Sequence, residues 1–233
     1  TNVFQIIFEF LQTPLLNLGD TLGAMVVAYI FLHLFWFFGV NGGSVVGAVF
    51  NPILQTLSAG NIAGEHHIIC QQFQDLFATF GGAGSTLSLV IAMLLFCKSK
   101  RITNLGKLSF VPGIFGINEP ILFGAPIVLN PMFFIPFVIC GGIIGSLGGW
   151  AMYLGIMKCS TFTPPYVGVF LEGFLTNMDP MSIVVNAVQL ILSILIWYPF
   201  VKSYEKTYGN KEEETNAISA EDAAILDDLD LDF

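Results

Sequence analysis

No Lys or Arg occurs in this chain before Lys98. The stretch it closes is a succession of apolar runs with short breaks. In water such runs would have to be covered on every side. In a bilayer they need only be long enough, about 20 residues for a helix. Residues 22–40 meet that length without one Asp, Glu, Lys or Arg. Residues 80–97, 129–157 and 181–201 are further apolar runs. The chain is 55% hydrophobic and only 11% charged, against about 25% charged in an average soluble domain. A polytopic membrane protein is therefore expected. Because only helices and closed barrels satisfy the backbone in lipid, and the runs have helical length, the expected fold is all-α: about four transmembrane helices, with re-entrant hairpins and an acidic cytoplasmic tail.

Charge placement supplies topology. Lys98, Lys100, Arg101 and Lys107 form one basic cluster, and Lys202, Lys206 and Lys211 form another after the last apolar run. The positive-inside rule puts both in the cytoplasm, so an even number of full crossings separates them. Residues 129–157 and 181–201 already provide two. Residues 110–128 are then expected to dip into the membrane and return. Residues 44–57 are short, contain Asn51-Pro52, and are a second re-entrant candidate. Residues 58–75 read as a polar loop or interface. Ten of the seventeen acids lie from Glu205 onward, as in a solvated tail without fixed structure. Thr1 opens the chain, and no basic segment precedes the first apolar run. No signal peptide is expected, and the chain reads as part of a longer protein. Without a basic patch, nucleic-acid binding has no support.

The chemistry concentrates in Gly116-Ile117-Asn118-Glu119-Pro120-Ile121-Leu122-Phe123-Gly124-Ala125-Pro126. A carboxylate at bilayer depth costs about 2.5–3.5 kcal/mol on insertion scales and so faces a cavity, a partner or a substrate. Pro120 has no N–H and disfavours helix at Glu119. The segment is expected to be a broken element presenting Asn118 and Glu119 to a ligand. Asn41, followed by Gly42 and Gly43, is a second candidate, and Trp36, five residues before it, is an aromatic that could stack on the apolar face of a ligand. Asn41-Gly42 also suits a helix C-terminus, and Trp36 an interfacial anchor. His33 is expected to hydrogen-bond across helices. Glu172 sits among apolar residues, with function and structural pairing equally open. No metal site and no cofactor are expected: His66 and His67 are adjacent and diverge, while Cys70, Cys97, Cys140 and Cys159 are widely spaced and suit helix packing. No Walker loop, Rossmann fingerprint or hydrolase triad is present.

The segment from Pro112 to Pro131 resembles the signature of bacterial phosphotransferase-system enzyme IIC permeases, in the lactose/cellobiose/chitobiose branch. Leu34-Phe35-Trp36-Phe37-Phe38-Gly39-Val40-Asn41-Gly42 is similar to a second family motif, and Gly81-Gly82-Ala83-Gly84-Ser85-Thr86 to a third. The resemblance implies a permease that binds and translocates a sugar, a β-linked disaccharide, which is phosphorylated by a partner enzyme IIB with IIA upstream. Members are about twice this length and dimerise through an N-terminal half, so this chain corresponds to the C-terminal, substrate-binding half. By motif, Glu119 is the candidate base; Glu119, Asn118, Asn41, Gly42 and Trp36 would bind sugar. Asn41 stands where the family commonly has histidine, and the Thr161-Phe162-Thr163-Pro164-Pro165 segment lacks a usual tryptophan. The implied organisation is an interfacial or partial helix over 1–20, a membrane-embedded transport domain over 21–203, and a cytoplasmic tail over 204–233, in a bacterial plasma membrane. An ion-coupled sugar transporter without phosphorylation and an inactive membrane scaffold remain the alternatives.

Overall fold

The computed structural model describes residues 21–209 with the exception of 166. The expectations for 1–20 and for the tail beyond 209 lie outside the described residues. Every regular element among the described residues is helical.

α1 (Leu22–Phe37) starts at Thr21, whose Oγ1 accepts the Ala24 N–H at 3.3 Å. α2 (Gly42–Ile62) folds back along it, with Val46 packing near Leu32, and Leu54 near Met25. Gly42 makes the tight start possible: a Cβ there would meet the Leu32 carbonyl and lie 2.9 Å from the Trp36 ring. Pro52 does not break α2, which runs well beyond the 44–57 segment read from sequence. Thr56 Oγ1 donates to the Pro52 carbonyl at 2.9 Å.

Two interrupted helices form the centre. The first comprises α3 (Gln71–Phe73), a π turn (Gln74–Ala78), a glycine-rich break and α4 (Thr86–Phe96). The helical stretch thus begins inside the segment expected to be a loop. The second comprises α7 (Pro131–Val138), a π turn (Ile139–Ile143), a 3-10 turn (Ile144–Ser146) and α8 (Leu147–Tyr153). They cross at their breaks. A Cβ on Gly84 or Gly148 would strike Phe137 or Phe77, respectively, and one on Gly145 would lie 3.1 Å from Ala78. Small residues let membrane helices approach this closely, where dispersion contacts replace the hydrophobic effect as the main attraction.

Between the interrupted helices lie α5 (Lys100–Ile114), antiparallel to α4, and the short α6 (Glu119–Gly124). α9 (Val169–Asn177) and the long α10 (Met181–Tyr208) complete the chain. Among the described residues three helical stretches are long and apolar enough to cross a membrane, namely Gln71–Phe96, Pro131–Tyr153 and Met181–Tyr208; α1 is apolar but shorter. α1 is short because it ends at Phe37 and Gly39 turns the chain at φ +80°.

α10 is polar inside and apolar outside. Ser182, Asn186, Gln189, Ser193 and Trp197 recur on one face and are fully buried, whereas Val184, Val188, Ile191 and Leu195 are exposed. A helix in water would reverse this pattern. The helix continues past the boundary expected at 203. Tyr204 packs 5.0 Å from Phe133, centroid to centroid, and Glu205 accepts the Lys98 and Ser99 N–H groups and the Lys202 ammonium. The two basic clusters therefore meet at one end of the molecule, further tied by Ser99 Oγ donating to the Gly209 carbonyl at 3.1 Å.

Candidate functional site

The break between α3 and α4 is built by glycine. Gly81, Gly82 and Gly84 have φ of +62°, +95° and +72°, a region that costs an L-residue about 1–2 kcal/mol. Ser85 also lies at positive φ. The freed backbone is satisfied from several directions. Thr86 Oγ1 donates to the Gly81 carbonyl at 3.1 Å, Trp197 Nε1 to that of Gly84 at 3.2 Å, and Gln189 Nε2 to that of Phe77 at 2.8 Å. Asn118 Nδ2 reaches the Ala83 carbonyl at 3.4 Å. Two of the motifs singled out in the sequence, the glycine turn and Asn118-Glu119, are thus in contact. A Cβ on Gly82 would run into Asn118.

Asn118 is buried and non-helical (φ −114°, ψ 2°), while Glu119 is exposed and opens α6 with Pro120 beside it. The break therefore falls one residue earlier than Pro120 predicted. The first turn of a helix needs no N–H at that position, so proline is well tolerated there. Among the described residues no hydrogen bond or ion pair engages the Glu119 carboxylate.

Asn41 is a helix N-cap rather than a C-terminus. Its Oδ1 accepts the Ser44 N–H at 2.9 Å. Trp36 is half-buried against the core around Leu32 and Phe50. No hydrogen bond or ring contact joins Trp36 or Asn41 to Asn118 or Glu119 among the described residues. The tie between the two regions is by backbone: Leu129 N–H donates to the Phe37 carbonyl at 3.0 Å. His33 bonds within its own helix, Nδ1 lying 2.6 Å from the Tyr29 carbonyl, and not across helices as expected. Residue 29 is one turn back, so a buried His in an apolar helix finds its partner locally. His67 pairs with Glu65 at 2.6 Å, and no group of three metal-binding side chains occurs among the described residues. None of the four cysteines forms a disulfide.

A cavity of about 80 Å³ lies beside the glycine turn, lined by Leu76, Thr79, Phe80 and Gly81, by Phe115 and Gly116, and by Val169 and Glu172. Gly116, at φ +75°, stands two residues before Asn118. No local pattern in the sequence links Thr79 or Glu172 to the Asn118 segment, and the polar face of α10 is not among the features expected from it. The 4-3-4-4 spacing of Ser182, Asn186, Gln189, Ser193 and Trp197 is the signal that would have found the latter.

A family model described as "Phosphotransferase system, EIIC" matches residues 1–141. The oligo-beta-mannoside-specific EIIC component of Bacillus subtilis (strain 168) is 34% identical over 223 residues, covering 92% of this chain and 50% of that protein. The cellobiose-specific EIIC component of Lactococcus lactis subsp. lactis (strain IL1403) is 32% identical, covering 92% of this chain and 48% of that protein. The crystal structure of the transporter ChbC, the IIC component from the N,N'-diacetylchitobiose-specific phosphotransferase system, superposes with a TM-score of 0.81 at 34% identity, covering 91% of this chain and 51% of that one. The chain thus spans about half the length of the relatives it matches. Since the family match runs through Trp36, Asn41, the glycine turn and Asn118-Glu119 alike, this chain belongs to the EIIC family of the phosphotransferase system.

Proposed function

We propose that this chain is the substrate-binding half of a multi-pass sugar permease in a bacterial plasma membrane, which binds a β-linked disaccharide and presents it for phosphorylation by enzyme IIB, itself charged by IIA. The observation that carries this reading is the packing of the glycine turn on Asn118, beside a cavity that contains a carboxylate. Glu119 orients the reacting hydroxyl and accepts its proton. Asn118, Asn41, Gly42 and Trp36 complete the sugar contacts. The hydroxyl oxygen attacks phosphorus of a phosphocysteine on IIB; the new O–P bond forms as the S–P bond breaks, the thiolate leaves on IIB, and the proton passes to Glu119. Such a transfer asks mainly for positioning and for a group that takes the proton. The transport domain runs from 21 to the end of α10 at Tyr208, the Asn118-Glu119 segment is re-entrant, and the acidic tail beyond α10 lies in the cytoplasm. The full-length permease forms a homodimer through its N-terminal half.

The test is Glu119→Gln in the full-length permease. It keeps shape and hydrogen bonding but removes basicity, which matters only in the transition state. Cellobiose binding should weaken modestly, and phosphorylation by phosphorylated IIB should fall much further. Near-normal phosphorylation would remove Glu119 as the base. Uptake of free sugar that collapses with an uncoupler would replace group translocation by ion coupling.

A further inference from the structure

Glu172 belongs to none of the family motifs above, yet it is a buried acid, 9% exposed, in the wall of the cavity. Burying a carboxylate is costly unless something compensates it. Part of the compensation is local. Glu172 lies in the first turn of α9, where the helix dipole favours negative charge. The rest of the wall is rigidly held. Asn186 Nδ2 donates to the Val169 carbonyl at 3.2 Å and Gln189 Nε2 to the Phe77 carbonyl at 2.8 Å. Two buried amides of α10 thus clamp the two segments that face each other across the cavity. Phe80, edge-on to Phe170 at 5.9 Å, and Phe115 provide aromatic surface. Gly81 and Gly116 bring backbone to the wall without a side chain.

An acceptor-only carboxylate, a hydroxyl from Thr79, exposed backbone and aromatic rings match a polyhydroxylated ring. The carboxylate accepts from two neighbouring hydroxyls at once, and the rings cover C–H faces. An inorganic anion would be repelled by Glu172. A divalent cation would need more oxygen ligands than one carboxylate and one hydroxyl. We propose that Glu172 is a second sugar-binding carboxylate, accepting hydroxyl hydrogen bonds from the ring of the disaccharide that is not phosphorylated. This rests on the permease reading above. The geometry suits one ligand reaching both sites: Gly81 lines the cavity while Gly82 beside it packs on Asn118, and Gly116 lines the cavity two residues before Asn118.

The test uses the full-length permease in nanodiscs, with titration calorimetry against cellobiose, mannobiose, lactose and a set of monodeoxy cellobioses. Glu172→Gln should weaken cellobiose binding by roughly ten- to a hundredfold, the range for losing charge-assisted hydrogen bonds. The loss should shrink for the two deoxy sugars that each lack one accepted hydroxyl, and stay full for those deoxygenated elsewhere. Phosphorylation at saturating cellobiose should be retained, so that KM changes and kcat does not. Unchanged cellobiose affinity in Glu172→Gln would overturn the proposal. So would an equal loss for every analogue accompanied by a lower melting temperature, which marks a structural role. Glu119→Gln separates the two readings: if it abolishes phosphorylation while Glu172→Gln binds normally, only the Glu172 assignment falls. If the wild-type permease binds none of the sugars, the permease reading falls and takes Glu172 with it.

Discussion

Gly84 is the position where backbone conformation and packing can be separated by experiment. Its φ of +72° costs alanine about 1–2 kcal/mol. A Cβ there would also enter the ring of Phe137, which is fully buried between the two interrupted helices and has no room to swing. Forcing a methyl into such a contact costs about 1–3 kcal/mol more. Gly84→Ala should therefore destabilise the permease by about 2–5 kcal/mol. Gly116 provides the control. Its φ is +75°, nearly the same, but nothing lies within 4 Å of a Cβ there. Gly116→Ala should cost only the conformational part, about 1–2 kcal/mol. Thermal unfolding of both variants in the same detergent should rank Gly84→Ala well below Gly116→Ala. Because the Gly84 carbonyl receives Trp197 and its neighbour Ala83 receives Asn118, Gly84→Ala should also weaken sugar binding. Equal melting temperatures would refute the claim that the helices cross in contact at this break.

Asn41→Ala should remove the cap on Ser44 and destabilise α2 by about 0.5–2 kcal/mol, with Asn41→Asp retaining most of it; identical stability of all three proteins would show the cap is not used. Asn41 has no titratable group near neutral pH, so Asn41→His should add to sugar binding an inflection near the usual histidine range that the wild type lacks. Asp179 accepts the Met181 N–H and the Lys158 N–H, each at 3.0 Å, and the first of these bonds is the main cause that holds its carboxyl below the usual range. A depressed folded pKa gives stability that is present above the ordinary Asp value and lost as pH falls through the folded one. Asp179→Asn should flatten that acid-side loss in a melting-temperature series. Single cysteines at Lys100 and Lys206, in a cysteine-free permease, should label from the same side of the membrane; labelling from opposite sides would exclude a re-entrant Asn118-Glu119 segment.

The class of the fold and the place of its unusual segments follow from one-dimensional properties. Apolar length sets where helices run, because a bilayer demands it, and the runs at 129–157 and 181–201 correspond to Pro131–Tyr153 and Met181–Tyr208. Glycine and proline mark breaks, because they change what the backbone can adopt: Gly84 and Asn118 both have non-helical backbone angles. Proline was a poorer guide where it falls inside a helix whose neighbours still hold it, as at Pro52.

What a sequence cannot state is which side of a helix meets which neighbour. Gln189 and Phe77 are far apart in the chain, and so are Asn118 and Ala83, yet each pair shares a buried hydrogen bond. Glu172 was visible as an acid among apolar residues, but only the packing of α9 against the glycine turn gave it a cavity. Likewise, the positive-inside rule already put the two basic clusters on one side, but only the packing showed that Glu205, bonded to Lys98, Ser99 and Lys202, ties them together. The apolar runs and breaks are local demands of solvent and backbone, and so are written residue by residue. The site is a set of contacts between segments distant in sequence, and it exists only once α4, α9 and α10 have packed.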